Sequence, residues 1–251
     1  MSKLLGIIGG MGTQATACLY RMLHEQQSVA VEQEYIDVLL YSKPSIPDRT
    51  AYITGQSPES PLDALINAAK TLENAGVDCL VIPCATSHYF YDELIKAVNI
   101  PILNMLDTTA QYAKTIGAKK VCLLATDGTI KGRFFHNSLE KRGIEVITPP
   151  DGVQADLMDL IYDIKRGEAV SSEALGCIVS KACDDGVDAV VLGCTELCVQ
   201  DGGTVPLSHH LCMEVTQLEQ ERQRNRPPVL INILEVFAEA SIEFCKRCQV
   251  S

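Results

Sequence analysis

The sequence has a deficit of cationic residues. Its 32 Asp and Glu residues outnumber 21 Lys and Arg residues, which gives a formal net charge of −11 at pH 7. Nucleic acids and anionic membrane surfaces are bound by clustered Lys and Arg, so this charge argues against both as partners. An acidic protein that binds an acidic ligand must concentrate its few cations at the binding site.

Membrane and export signals are missing as well. No apolar run approaches the roughly 20 residues that a membrane-spanning helix needs, and residues 1–10 lack the apolar segment and cleavage site of a signal peptide. We therefore expect a cytoplasmic protein. Its 11 cysteines are an odd number, and most should be small buried hydrophobes rather than disulfides. The C-x-x-C of Cys245 and Cys248 has no second pair and is expected to be a helix tail.

Hydrophobic residues make up 47% of the 251 positions, which is enough for a full-sized core. Short apolar runs alternate with segments of helical periodicity, a pattern typical of a mostly parallel sheet with helices on both faces. The predicted strands are residues 4–8, 36–41, 79–82, 102–106, 121–124, 145–147, 189–192 and 229–233. The predicted helices are residues 15–28, 61–75, 89–98, 132–142, 157–165 and 171–184.

The two halves of the chain resemble each other. Residues 76–84 (GVDCLVIPC) align without gaps on residues 186–194 (GVDAVVLGC), and both segments end in cysteine. Two further pairs keep the same order: 5–13 with 121–129, and 101–106 with 228–233. Three matched strands indicate a duplicated half-domain.

The repeat predicts an α/β fold of two pseudo-symmetric Rossmann-like half-domains, each with a parallel four-stranded sheet and flanking helices. The first half-domain is predicted to combine residues 1–104 with residues 234–251, whose helix crosses back to pack on it. Residues 105–233 form the second half-domain.

A polar insertion is predicted in the second half-domain at residues 199–227. It contains adjacent histidines, His209 and His210, and the charged run 217–226. No further ligand spacing accompanies the histidines, so we expect adventitious metal binding and no metal site.

Cys84 and Cys194 directly follow predicted strands at matching positions of the repeat. Ligands of parallel α/β sheets bind beyond the carboxyl ends of the strands, where helix N-termini present free N–H groups. We expect the thiols to face one cleft, with a helix N-terminus lowering their pKa from about 8.5 toward 7. A carbon acid that loses a proton from one face and regains it on the other needs two groups in opposite protonation states. The pair therefore indicates proton transfer on a small acidic substrate.

Other interpretations of these features stay open. Cys84 and Cys194 could be buried filler, as Cys79 is expected to be, although polar residues follow each of the pair. Residues 10–15 (GMGTQA) are a weak match to a dinucleotide-binding loop. A nucleotide site would leave the paired cysteines unexplained, so an enzyme without a cofactor is favoured.

Six motifs follow one another along nearly the whole chain. They are residues 6–16 (GIIGGMGTQAT), 46–50 (IPDRT), 83–88 (PCATSH), 124–129 (LATDGT), 164–167 (IKRG) and 193–197 (GCTEL). In this order they resemble the aspartate/glutamate racemase family, in its aspartate racemase branch. The resemblance implies an isomerase that interconverts L- and D-aspartate, or glutamate, without pyridoxal phosphate or another cofactor. It also implies Cys84 and Cys194 as the acid/base pair and, commonly, a homodimer.

The resemblance also points to residues that would bind the substrate or change the reactivity of the thiols. The expected substrate-binding residues are Met11, Arg49, Thr86, Thr126, Thr129, Lys165 and Thr195. Among them, Arg49 and Lys165 would hold the side-chain carboxylate through charge-assisted hydrogen bonds. His88 and Glu196 could tune the thiols or simply cap helices.

Two positions depart from the family pattern. Thr13 stands where the family usually has Pro, and Ala85 stands where it usually has Asn. That Asn would contact the α-amino or α-carboxylate group, so Ala85 leaves the substrate open. An isomerase or decarboxylase of another small dicarboxylate, and a non-catalytic amino-acid-binding protein, are the alternatives.

Overall fold

The structure is a computed structural model that describes residues 3–168, 170–183, 186–199 and 228–247. Its strands are β1 (Leu5–Gly9), β2 (Val38–Ser42), β3 (Cys79–Val81), β4 (Lys120–Leu124), β5 (Glu145–Ile147), β6 (Ala189–Leu192) and β7 (Val229–Asn232). Its helices are α1 (Thr13–Glu25), α2 (Arg49–Thr54), α3 (Leu62–Asn74), α4 (Tyr91–Ala97), α5 (Met105–Thr115), α6 (Asp127–Gly132), α7 (Phe134–Glu140), α8 (Asp151–Arg166), α9 (Ser172–Ala182) and α10 (Ile233–Lys246). The predicted insertion beyond Val199, with its two histidines, and Cys248 lie outside the described residues.

The two parallel sheets repeat one topology. The first has the order β2-β1-β3 and the second the order β5-β4-β6-β7. β1 corresponds to β4, and β3 corresponds to β6. The predicted α/β fold of two similar halves is thereby confirmed.

The first sheet has three strands rather than the predicted four. Of the predicted strand at residues 102–106, only Ile102 pairs, through a single parallel bridge to Leu80. The Asn104 side chain then accepts hydrogen bonds from the N–H groups of Leu106 at 2.9 Å and Asp107 at 3.1 Å. This capping starts α5 at the residue where the strand was expected to continue.

The same kind of cap follows the last strand of the second sheet. The Asn232 side chain accepts from the N–H groups of Leu234 at 3.0 Å and Glu235 at 3.2 Å, and α10 begins there. The two Asn caps mark equivalent points of the repeat.

Two of the helices that periodicity misses, α2 and α6, are too short to show an apolar stripe. Asp48 caps α2 by accepting from the Ala51 N–H at 2.8 Å. Thr126 caps α6 by accepting from the Thr129 N–H at 3.2 Å. The two helices pack on each other and on the residues after Cys84, so they build one wall of the region beyond β3.

The C-terminal helix α10 packs on α1 and α5. The Gln26 side chain donates a hydrogen bond to the Glu235 carbonyl oxygen at 3.2 Å, and the Cys245 sulfur lies 3.9 Å from the Cys79 sulfur. The helix therefore lies against the first sheet, while the division of the chain at residue 104 stays a prediction. No helix in the described part of the chain is long and apolar enough to span a membrane.

Both sheets contribute to one large apolar cluster. It joins Leu5 and Val81 of the first sheet to Val121 and Val190 of the second, all fully buried. Burial of such side chains stabilises a fold by about 1.5–3 kcal/mol each. The shared core keeps the two sheets, and the loops at their carboxyl ends, in a fixed relation.

Candidate active site

Cys84 and Cys194 occupy equivalent positions after β3 and β6, each directly before a short 3-10 helix. The Cys84 carbonyl oxygen accepts a hydrogen bond from the Ser87 N–H at 3.2 Å, and the Cys194 carbonyl oxygen accepts one from the Leu197 N–H at 3.0 Å. Only 5% of Cys84 and 4% of Cys194 is exposed. The repeat thus places both thiols in matching, largely buried turns.

The Cys194 thiol donates a hydrogen bond to Glu196 Oε2 at 2.9 Å, and the Thr195 hydroxyl donates to the same oxygen at 3.3 Å. Burial, and then the charge of Glu196, raise the pKa of Cys194 well above its usual value, while Lys165 acts in the opposite direction. The predicted lowering by a helix N-terminus is therefore wrong for Cys194. Desolvation and a neighbouring carboxylate outweigh the helix end.

Replacing Glu196 with glutamine should make Cys194 more reactive at moderate pH. Loss of the carboxylate removes one of the charges that raise the pKa of Cys194, and more thiolate then forms at a given pH. We expect iodoacetamide to alkylate Cys194 several-fold faster at pH 8 in Glu196→Gln than in the wild type, as measured by peptide mass spectrometry. The exposed Cys177 is the internal control and should react equally in both. Equal rates at Cys194 would contradict this role for Glu196.

Arg49 opens α2 beside Cys84. Its Nη1 donates hydrogen bonds to the carbonyl oxygens of Ile46 at 3.2 Å and Pro47 at 2.9 Å, which fix the guanidinium. Burial lowers the pKa of Arg49, but negative charge on Cys84 and Asp48 outweighs it and raises that pKa. Arg49 Nε is buried with no hydrogen-bond partner among the described residues. One N–H of the fork therefore remains for a ligand oxygen.

Lys165, near the end of α8, lies within electrostatic range of both thiols. Burial lowers its pKa, but Glu196 and the two cysteine sulfurs outweigh that effect and raise it. Its Nζ lies 4.8 Å from the centre of the Tyr162 ring, at cation–π distance. The charge of Arg49 acts to lower the pKa of Lys165, so the two cations lie within electrostatic range of each other. A carboxylate bound between them would offset their repulsion.

Asp48 and Tyr162 support these cations, and the sequence reasoning does not single them out. The Tyr162 hydroxyl donates to Asp48 Oδ2 at 3.4 Å. Burial raises the pKa of Asp48, but the Ala51 N–H, Lys165 and Arg49 together hold it below its usual value. The signal that could identify Asp48 is its place in the IPDRT motif, where it precedes Arg49 directly and is a residue type that commonly caps helices.

Thr86, Thr126 and Thr129 form a triangle of buried hydroxyls. The oxygen of Thr86 lies 3.1 Å from each of the other two, which are 3.0 Å apart. Gly128 packs beside them, and a Cβ there would lie only 3.0 Å from the Thr50 Cα. Because the hydroxyls bind one another, a carboxylate that binds them must replace at least one of these hydrogen bonds.

The glycine loop after β1 packs against the site. Met11 is buried, and its sulfur accepts a hydrogen bond from the Ser87 hydroxyl at 3.3 Å. A Cβ on Gly12 would lie 2.9 Å from Glu196 Oε1, an oxygen without a hydrogen-bond partner in the described part of the chain. A side chain at position 12 would displace this buried carboxylate.

His88 binds backbone groups on two elements. Its Nε2 accepts from the Met105 N–H at 3.1 Å, which assigns the proton to Nδ1, 3.0 Å from the Cys84 carbonyl oxygen. Burial lowers the pKa of His88 to about 4. Of its two expected roles, this geometry fits the capping of α5, and it also fixes the backbone of Cys84.

A neutral buried His88 should make the fold acid-sensitive. A histidine has a pKa of about 6.5 when unfolded, so between that pH and about 4 the unfolded chain binds the extra proton and stability falls as the pH falls. From pH 6.5 to 5 this amounts to about 2 kcal/mol. Urea unfolding of the wild type and of His88→Gln at both pH values measures it. The variant should lack about 2 kcal/mol of the wild-type loss, whereas equal losses would show that His88 is not the responsible group.

Comparison with known proteins shows a family match across most of the chain. The profile of the Asp/Glu/hydantoin racemase family matches residues 8–205. The chain belongs to this family. As an amino-acid racemase of the Asp/Glu type, it is an isomerase.

Relatives of this racemase cover most of its length. A broad specificity amino-acid racemase of Bacillus subtilis is 27% identical over 205 residues, which are 77% of this chain and 86% of that protein. Picrophilus torridus aspartate racemase superposes with a TM-score of 0.74 at 28% identity, over 97% of this chain and 94% of that one. An aspartate racemase homologue from Pyrococcus horikoshii gives 0.70 at 26% identity, over 98% and 99%.

Proposed function

We propose that this racemase interconverts L- and D-aspartate, with glutamate as the second candidate, by moving the α-proton between Cys84 and Cys194. The observation that carries the proposal is the pairing of two thiols at equivalent strand ends with one lysine, Lys165, that interacts with both. The proposed chemistry needs no cofactor, because two protein groups remove and return the proton. A homodimer is also proposed.

We assign the two thiols different roles at the start of the reaction. Cys194 keeps its proton, because it donates to Glu196 and its pKa is raised. Cys84 lies beside the Arg49 guanidinium, and negative charge on its sulfur raises the pKa of Arg49. Cys84 is therefore the base and Cys194 the acid for one enantiomer, and their roles reverse for the other.

Proton transfer then proceeds in two steps. The Cys84 thiolate takes the α-proton, and the electron pair of the broken C–H bond delocalises into the α-carboxylate. The Cys194 thiol protonates the opposite face of the carbon and becomes the thiolate. The cations Arg49 and Lys165 offset the negative charge that develops between these steps.

The hydrogen-bond donors of the site fit a dicarboxylate. The cations Arg49 and Lys165 are equal in number to the acids Asp48 and Glu196, but Arg49 Nε has no hydrogen-bond partner among the described residues and can donate to a substrate carboxylate. A second carboxylate on the substrate adds a charge-assisted hydrogen bond of about 1.5–3 kcal/mol, which favours aspartate or glutamate over neutral amino acids. The threonine triangle is the proposed site for the α-carboxylate.

A wider substrate range is the second candidate. Ala85 is buried and carries only a methyl group where the family usually has an amide. The loss of that polar contact relaxes the requirement on the α-substituents, and the relative from Bacillus subtilis is a broad specificity racemase.

Chiral analysis in deuterated water tests the function. Purified protein without added pyridoxal phosphate is incubated with the L-enantiomers of aspartate, glutamate and a neutral amino acid. We expect the D-enantiomer with deuterium at Cα, fastest from aspartate. Loss of carbon dioxide would indicate the decarboxylase alternative, and binding without exchange would indicate an amino-acid-binding protein. Comparable rates with the neutral amino acid would favour the broad range.

A further inference from the structure

β2 is an edge strand of the first sheet. The N–H and C=O groups of its successive residues point alternately toward β1 and away from it. The Asp37 carbonyl oxygen accepts from the Leu5 N–H at 2.9 Å, and the Lys43 N–H donates to the Gly9 carbonyl oxygen at 3.0 Å. Odd-numbered residues of β2 therefore direct their backbone groups to β1. The N–H and C=O groups of the even-numbered Val38, Leu40 and Ser42 point away from β1, toward the open edge of the sheet.

The outer edge of β2 lacks the features that usually protect an edge strand. Its five residues, VLLYS, contain no charge and no proline. Leu39 and Leu40 lie on opposite faces, with 36% and 40% of their surface exposed. Monomeric proteins usually block such edges with charges, prolines or very short strands. An exposed apolar edge of this length is typical of a surface that pairs with another strand.

The equivalent edge strand of the second sheet, β5, is protected. It has only three residues, and exposed Glu145 within it forms an ion pair with Lys120 at 3.5 Å. The contrast shows that the equivalent edges β2 and β5 of the two sheets are built differently.

We propose that β2 pairs antiparallel with β2 of a second copy of this chain, about a twofold axis at Leu40. In this register Leu40 faces its own counterpart, and Val38 faces Ser42. These are the residues whose backbone groups point outward, so each pair exchanges two hydrogen bonds. The result is one continuous six-stranded sheet, β3-β1-β2 joined to the same strands of the partner.

Charge complementarity supports this register. Asp37 precedes β2 and Lys43 follows it, and the same twofold axis places Asp37 of each copy opposite Lys43 of the other. Asp37 and Lys43 of the partner would form a non-hydrogen-bonded pair, the kind of antiparallel pair in which the side chains of opposite residues are closest. Two ion pairs therefore close the ends of the shared strand pair.

The pairing reaches the site through the loop after β2. Gly10, with φ of 95°, packs so closely on this loop that a Cβ would lie 2.5 Å from the Lys43 carbonyl carbon. The loop continues to Asp48 and Arg49. Fixing β2 in a dimer thus fixes the segment that carries the guanidinium. The inference takes up the homodimer proposed above, but its test needs no substrate and is independent of the racemase activity.

Charge reversal tests the interface. Sedimentation velocity in about 50 mM salt, where screening is weak, compares the wild type with Asp37→Lys, Lys43→Asp and the double variant. Each single variant turns two attractive pairs into repulsive ones and should weaken the dimer about tenfold. The double variant should restore it. Glu145→Lys on β5 is the matched control and should leave the dimer unchanged.

Hydrogen exchange of the β2 amides identifies what covers the edge. We expect the Leu40 amide to be protected in the wild-type dimer and to exchange faster in the single variants. A wild-type monomer would overturn the proposal, and so would a dimer whose affinity neither Asp37→Lys nor Lys43→Asp changes. A monomer with protected β2 amides would also overturn it, because another part of the chain would then cover the edge.

Discussion

Replacing Cys84 with alanine should lower kcat for aspartate racemisation at least about a thousandfold, and Cys194→Ala should do the same. Each thiol serves one face of the α-carbon, so the remaining thiol cannot complete the inversion alone. Chiral chromatography of aspartate after incubation with each variant measures the loss.

The repeat supplies a matched control for these variants. Cys79 lies five positions before Cys84, is fully buried, and aligns with Ala189 of the second half. The fold already accepts alanine at that equivalent point, so Cys79→Ala should retain racemase activity. Substantial racemisation by Cys84→Ala or Cys194→Ala would contradict the two-thiol mechanism.

Lys165→Gln should lower kcat/KM for aspartate about a hundredfold. The substitution removes a charge-assisted hydrogen bond worth about 1.5–3 kcal/mol and the cation that interacts with both thiols. It should also weaken inhibition by succinate more than inhibition by acetate, because only succinate has a second carboxylate. Steady-state kinetics with both inhibitors measures the effect.

The next residue along the chain is the control for this prediction. Arg166 is exposed and pairs with Asp163 and Glu168 on the protein surface. Arg166→Gln removes the same charge at nearly the same place but outside the site, so kcat/KM should change little. Equal losses in the two variants would indicate a general electrostatic effect rather than substrate binding by Lys165.

The features predicted well from the sequence are those encoded in a few adjacent residues. The β5 and β6 boundaries match the predicted strands at residues 145–147 and 189–192, and Cys84 and Cys194 follow equivalent strands, as the repeat predicts. Buried parallel strands show as continuous apolar runs, and a gap-free repeat keeps its register. Arg49 and Lys165, far apart in sequence, are brought near the thiols by the fold.

The features that the sequence does not predict depend on side chains from distant segments. The apolar residues after Ile102 predict that the strand continues, yet the Asn104 side chain caps a helix that begins there. The contact of Tyr162 with Asp48 joins residues more than a hundred positions apart. The raised pKa of Cys194 depends on burial and on the rotamer of Glu196, and neither follows from the position of the thiol at a helix start.

The two-thiol mechanism can be tested by the early time course of α-deuterium in both enantiomers of aspartate. The reaction starts from unlabelled L-aspartate in deuterated water and is stopped within the first few per cent of conversion. Two thiols on opposite faces predict D-aspartate fully deuterated at Cα, while the remaining L-aspartate keeps its protium. D-aspartate that retains protium, or label entering both enantiomers at the same early rate, would contradict proton transfer between Cys84 and Cys194.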